Sequence, residues 1–442
     1  MRELEHAFAD ELVVVGVHSA KFPAEKSTEN LQAAMLWHEV DHPVVNDADF
    51  AVWQSYGVRA WPTLMFIDPR GSVYAKHEGE FPLEPVRDLI RDMLAEYDAA
   101  GLLDRAPLPL TRLAEPDSAL RFPGKVLADP EGDRLFVADS GHHRILIAGL
   151  DGNVRQCIGA GERGRADGAS ETARFNHPQG MALALDGRTL YVADVGNHAV
   201  RAVDLVGGGV TTVAGTGERG GYRGGGPGWA TALASPWDLT FLDGTLWIAM
   251  AGTHQLWTYE PATGIVRPAA GTGAESIHDG PLAAATFAQP MGITALDGIL
   301  YVADSEASAV RRVAPGEDHV RRLVGRGLFE FGDIDARGDS VRLQHVQGVW
   351  AVAENGAPAV YLADTYNDKI KRLDPATREV TTVFGGGGHG LVNGDAATAE
   401  FWAPGGLSIA GRTLYVADTN NHAIRVADLD RAEVRTLAIR GA

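Results

Sequence analysis

Four histidines recur at one place in a repeated phrase. His143, His198, His254 and His422 each stand four residues beyond a strand-like run, and Ser308 and Asp368 hold that place in two further copies. A ring of imidazoles could bind a metal ion or a carboxylate, since imidazole nitrogen is a common ligand that titrates near neutral pH. Turn stabilisation is the competing reading, and it suits residues spread round a rim. A second set, Asp167, Asp279, Asp339 and Asp395, lies in glycine-rich stretches ahead of the next copy, close to His177 and His345. These six are the candidates for a binding face. As repeated turn devices, the acids would instead support the following strand. The single cysteine, Cys157, excludes an intrachain disulfide and a cysteine-rich metal site.

The phrase that positions these residues is Leu190-Tyr191-Val192-Ala193-Asp194. Its copies end at Asp139, Asp194, Met250, Asp304, Asp364 and Asp418, at spacings of 55, 56, 54, 60 and 54 residues. A fixed long period indicates an array of units, none of which buries its apolar face alone. Each unit offers four strand candidates, in the second unit 180–185, 190–194, 199–205 and 210–214. Four short strands make one blade, so six copies predict an all-β, six-bladed β-propeller over residues 119–442. The strand-end aspartates would accept from N–H groups of the turn. Every unit runs from inner to outer strand, so no strand is shared between the ends of the ring. Side-chain packing is then expected to hold blades one and six, with Leu108 to Leu113 as the segment available to complement an edge.

The first hundred residues read differently. Residues 12–17, LVVVGV, form a continuous apolar run that predicts a buried strand. Ser27 or Thr28 would cap a helix carrying Leu31, Met35 and Leu36. Residues 63–67 predict a strand that turns at 68–71 into another. Val86, Leu89, Ile90, Met93, Leu94 and Tyr97 make one stripe of an amphipathic helix. These elements describe an α/β domain over residues 1–103, and the proline-rich stretch 104–118 is a linker.

Within that domain, Tyr56 to Leu64 resembles the proline loop of the thioredoxin family, with Trp61, Pro62 and Thr63 at its tip. The resemblance implies a cis peptide before Pro62, and it places Asp47 and Asp49 beside the loop. It also implies paired cysteines and a central strand between 12–17 and 63–67, and neither is present. The expectation is an N-terminally incomplete thioredoxin-like domain whose natural chain starts upstream of Met1, with a gap between those two strands or an abnormal direct pairing. In the repeats, Pro178-Gln179-Gly180 before the phrase and Asn197-His198 after it resemble the NHL repeat over 122–439. Pro290-Met291-Gly292 and Pro404-Gly405-Gly406 agree, whereas Pro236-Trp237-Asp238 and Val346-Gln347-Gly348 each depart by one residue. The combination resembles thioredoxin-like proteins fused to NHL propellers. Some NHL-like propellers are lyases with a central zinc held by histidines. Here only His177 and His345 lie near the inner strands, too few for a three-histidine site.

Charge and hydropathy set the remaining bounds. Lys plus Arg (39) against Asp plus Glu (58) gives a net charge of -19, which disfavours a nucleic-acid partner. No apolar run is long enough for a membrane span. The functional expectation is a monomeric cytoplasmic scaffold that binds a protein or peptide on the loop face of the propeller, with no metal, no cofactor and no catalytic residue. The alternative is a thiol-disulfide oxidoreductase whose Cys-x-x-Cys lies in a missing N-terminal segment. A metal-dependent propeller lyase or hydrolase stands third.

Overall fold

The computed structural model describes residues 1–79, 81, 83–106 and 108–442. Pro107 of the expected linker therefore lies outside the described residues. The chain divides into two units, Met1–Glu115 and Pro116–Ala442. No helix among the described residues is long and apolar enough to cross a membrane.

The first unit contains α1 (Arg2–Ala7), β1 (Gly16–His18), α2 (Thr28–Trp37), β2 (Val44–Asn46), α3 (Ala51–Ser55), β3 (Thr63–Ile67), β4 (Val73–Glu78) and α4 (Leu83–Ala99). Ser27 caps α2, its hydroxyl accepting from the Asn30 N–H at 3.3 Å. The stripe on α4 buries Val86 and Ile90 against Leu4 and Phe8 of the N-terminal segment. β1 pairs in parallel with β2, and β3 pairs antiparallel with β4. The two sheets are not joined by hydrogen bonds among the described residues, so β1 and β3 do not pair directly. The buried strand expected over 12–17 is corrected to a three-residue strand at 16–18, with Val13, Val15 and Val17 exposed. An apolar run becomes a buried strand only when neighbours cover it, and β1 has a neighbour on one edge alone.

The second unit is a six-bladed β-propeller. Its inner strands are Pro123–Asp129, Pro178–Leu183, Pro236–Leu242, Pro290–Leu296, Gly348–Glu354 and Pro404–Ala410. In every blade the chain runs outward through four antiparallel strands, the second ending at Asp139, Asp194, Met250, Asp304, Asp364 or Asp418. Inner strands of adjacent blades pack side by side, and the sixth packs on the first. The ring closes through a shared core, where Val126, Leu135 and Leu146 of blade one meet Tyr415, Ile424 and Leu437 of blade six. Closure is not by side chains alone, as the sequence had suggested. The Val154 N–H donates to the Arg440 carbonyl at 2.9 Å, and the Arg440 N–H donates to Gly152 at 3.1 Å. The C-terminal residues thus complement the outer edge of blade one, while residues 108–113 form no strand.

The strand-end carboxylates hold the blades to their loops. Asp194 accepts from the Asn176 N–H at 2.8 Å with one oxygen and pairs with Arg201 at 2.8 Å with the other. Asp304 with Arg311 and Asp418 with Arg425 repeat this, and blade five substitutes Lys371, 3.5 Å from Asp364. All four pairs have side chains with no exposed surface. Beneath the guanidiniums lie Phe175, Phe287 and Phe401, at 5.0–5.1 Å from ring centre to guanidinium carbon. Blade three dispenses with charge altogether. Met250 stands for the aspartate and Trp257 for the arginine, both buried, and the Met250 sulfur lies 3.4 Å from the Ala234 N–H. The paired replacement follows from the cost of a lone buried charge, because a buried ion pair can give way to matched apolar groups only if both partners change. Arg311→Met alone is therefore expected to destabilise the chain by about 3–5 kcal/mol. The double change Asp304→Met with Arg311→Trp, copied from blade three, should recover most of that loss in urea unfolding monitored by tryptophan fluorescence. Equal losses for the single and double variants would contradict the account.

Candidate functional site

The histidine ring is a set of clasps between blades. Each of the six turn residues has left-handed backbone, with φ from 47° to 54°. From there it reaches a residue just ahead of the next inner strand. The N–H of His177 donates to His143 Nδ1 at 3.2 Å, Ser235 to His198 at 3.0 Å, and Gln289 to His254 at 3.1 Å. His345 donates to the Ser308 hydroxyl oxygen at 3.0 Å and Ala403 to the Asp368 carboxylate at 2.7 Å. The sixth clasp closes the ring, Phe122 donating to His422 at 3.0 Å. An Nδ1 that accepts from a backbone N–H belongs to a neutral imidazole protonated on Nε2. Hydroxyls add a parallel set of links, from Ser140 to the Pro178 carbonyl, Thr365 to Pro404 and Thr419 to Pro123.

The loop acids divide. Asp167 accepts from buried Arg201 at 2.7 Å and from the Thr212 N–H at 3.0 Å, so it ties an inter-blade loop to an outer strand. Asp279 does the same for Arg311 and the Arg322 N–H, both at 2.9 Å. In the later blades that place is taken by Asp335, bound to Lys371 and the Thr382 N–H, and by Asn393, bound to Arg425. Asp339 sits elsewhere and accepts from Arg378 at 2.6 Å. Asp395 caps its own turn through the N–H groups of Ala397 and Thr398. His177 packs edge-on to His143, with ring centres 4.6 Å apart, and His345 stacks on Tyr366 at 4.4 Å.

The propeller axis holds a pair that the sequence reading missed. Lys125 of blade one lies 3.3 Å from Asp238 of blade three and donates to the Gln347 carbonyl of blade five at 2.7 Å. Asp238 also accepts from the N–H groups of Leu239 and Ile293. Around them the remaining inner strands carry glycine at the matching position. A Cβ on Gly348 would lie 2.6 Å from the Gly405 carbonyl oxygen, and one on Gly406 would lie 2.6 Å from the Lys125 Cα. Burial drives the Asp238 carboxyl above its ordinary range and the Lys125 ammonium below its own, while each charge opposes the shift in the other. The signal was available in Pro123-Gly124-Lys125 and Pro236-Trp237-Asp238, two departures from glycine with opposite charge.

In the first unit the Trp61–Pro62 peptide is cis. Trp61 is 53% exposed, and its indole N–H donates to the Ser19 carbonyl at 2.9 Å. Its ring lies 4.5 Å from that of Trp53 and 6.4 Å from that of Phe50, forming an aromatic wall. Thr63 turns inward to the Ala60 carbonyl. Below the wall Asp47 is buried. Burial works against its charge, yet the N–H groups of Trp53 and Val52 and the Ser19 hydroxyl hold its pKa below the usual value. Asp49 is exposed.

A family model of the NHL repeat matches residues 175–202. The chain is 40% identical over 477 residues to NHL repeat-containing protein 2 of Bos taurus, covering 99% of this chain and 65% of that protein. It is 42% identical over 463 residues to Protein SUPPRESSOR OF QUENCHING 1, chloroplastic, of Arabidopsis thaliana, covering 99% of this chain and 43% of the plant protein. This chain therefore spans less than two thirds of the length of either relative. An auxiliary nutrient binding protein from Bacteroides thetaiotaomicron shares the fold, with TM-score 0.53 at 12% identity over 72% of this chain and 70% of that one.

The closing clasp carries a pH dependence. Burial, with the Arg121 charge in support, lowers the His422 pKa from 6.5 to about 4, while Asp139 opposes and His142 reinforces the shift. Below pH 6.5 the unfolded histidine takes up a proton that the folded one refuses, so stability is lost progressively between about 6.5 and about 4. Asp194, Asp304, Asp364 and Asp418, pushed up to about 6 by burial, act oppositely and gain stability as the pH falls through that value. His422→Asn keeps an acceptor and tolerates left-handed backbone. Relative to this variant, the wild type should lose stability from about pH 6.5 downward in chemical unfolding, with a constant difference above it; parallel curves throughout would refute the assignment.

Proposed function

We propose, starting from the fact that this chain belongs to the NHL repeat-containing protein 2 family, that it joins a thioredoxin-like domain, residues 1–103, to a propeller that serves as a scaffold for a protein or peptide ligand. The ligand would sit on the face formed by the inter-blade loops and the turns after each second strand. One observation carries the reading. The recurrent polar residues of that face are engaged with neighbouring backbone or buried cations, whereas Tyr222, Phe329 and Leu391 stand exposed on its loops. Rigid scaffolds that present exposed aromatic groups on loops suit macromolecular recognition. Trp61, exposed at the tip of the stretch that resembles the proline loop, supports the thioredoxin-like reading of the first domain.

The rival remains a thiol-disulfide oxidoreductase whose Cys-x-x-Cys lies outside the given sequence. Cys157 does not supply that chemistry, because it is half-buried in an outer strand and burial raises its thiol pKa. A propeller lyase is disfavoured by Lys125 and Asp238, which fill the axis where its ligands would converge. The binding reading is tested with a photo-crosslinking amino acid placed at Phe329 or Tyr222 on the loop face, and at Leu185 or Val206 on the opposite turns. Adducts from the first pair and none from the second are expected. Equal labelling at all four positions, or none, would remove the proposal.

A further inference from the structure

The loops of this face differ sharply in charge. Those at 271–289 and 385–403 carry Glu275, Asp279, Asp395 and Glu400 and neither lysine nor arginine. The loops at 159–177 and 215–235 carry Arg163, Arg165, Arg174, Arg219 and Arg223. All five arginines are exposed. Against them stand Glu162, Asp167, Glu171 and Glu218, of which Asp167 is held by buried Arg201 as Asp279 is by Arg311. A cationic patch in a chain of net charge -19 is a local feature that composition does not explain.

The patch is continuous. Arg165 lies so close to Gly217 that a Cβ there would come within 2.4 Å of its guanidinium, and the backbone at Gly217 has φ 93°. The loop then carries Tyr222 against Gly273, where a Cβ would fall 2.5 Å from the ring's own Cβ atom. The loop at 215–235 thereby touches the loop on either side. Arg223 covers the exposed Tyr222 ring, 5.1 Å from its centre. Arg174 is paired with Glu162, but Arg165 and Arg223 enter no ion pair among the described residues.

We propose that this patch, centred on Arg165, Tyr222 and Arg223, docks an acidic peptide segment of a partner protein. The proposal rests on the loop-face reading and specifies its ligand. Two guanidiniums outside any ion pair among the described residues offer bidentate donors for carboxylates, and Tyr222 supplies apolar contact beside Arg223. The acidic loop that adjoins the patch at Gly273, and the one at 385–403, confine an anionic ligand to a short segment. A long nucleic-acid strand would run from this patch into those carboxylates.

The test uses the whole chain, a fluorescent oligoglutamate peptide and anisotropy at low ionic strength. Arg165→Glu with Arg223→Glu should weaken binding by about tenfold or more, and added salt should weaken the wild type, as screened rim charges do. Arg435→Glu on the outer rim of blade six should change neither affinity nor melting temperature. Absent binding, equal binding by the double variant, or tighter binding of oligouridine RNA would overturn the proposal. If crosslinks at Phe329 persist when the peptide result is negative, the loop-face reading stands and the acidic ligand alone falls.

Discussion

Blades two, four and six each depend on where one buried guanidinium goes. Arg201 reaches Asp194 at the end of its own sheet, the carbonyls of Arg174 and Ala166, and Asp167 at the edge of the outer strand. One side chain therefore joins sheet, connecting loop and rim. A blade of four short strands cannot fix a connection of some twenty residues by backbone pairing alone, because few of the loop's N–H and C=O groups meet a strand edge. The arginine supplies the missing donors from inside, with Phe175 beneath its plane. That is why the variable loops begin from a fixed base.

The same logic operates between blades. A left-handed turn residue aims an acceptor at the N–H that precedes the neighbouring inner strand, and its chemistry varies from imidazole to hydroxyl to carboxylate without loss of the link. What the position requires is an acceptor at the right reach, which imidazole, hydroxyl and carboxylate each provide. The last of these links, the Thr419 hydroxyl on the Pro123 carbonyl and the bridge at Arg440 join the two ends of the ring, where Tyr415 and Ile424 also pack on Val126 and Leu135.

Much of this was legible. A 54–60 residue period ending in a strand and a polar residue leads directly to six blades, and the capping of α2 and the stripe on α4 follow from residue type and spacing. The partners were harder to read. Asp167 and Asp279 look equivalent to Asp339 and Asp395 because each adjoins a glycine, but the cation seven residues past the strand end selects Asp335 and Asn393 instead. Lys125 and Asp238 are far apart in sequence and converge only when the ring closes. The run at 12–17 reads as buried because an apolar pattern reports what a strand could pack against, not whether a neighbour is there.

The hub also numbers the blades. Lys125 belongs to the first, Asp238 to the third, and the carbonyl that completes the triangle to the fifth, while glycine at Gly180, Gly292 and Gly406 leaves room for the crossing. Replacing the third blade by a copy of one that carries glycine at that position would keep six blades yet leave an ammonium group at the centre of the ring without its counter-charge. The repeats are alike at the rim and distinct at the centre, so the ring has an address system, and loss of the inner strand that bears Asp238 is penalised at the axis.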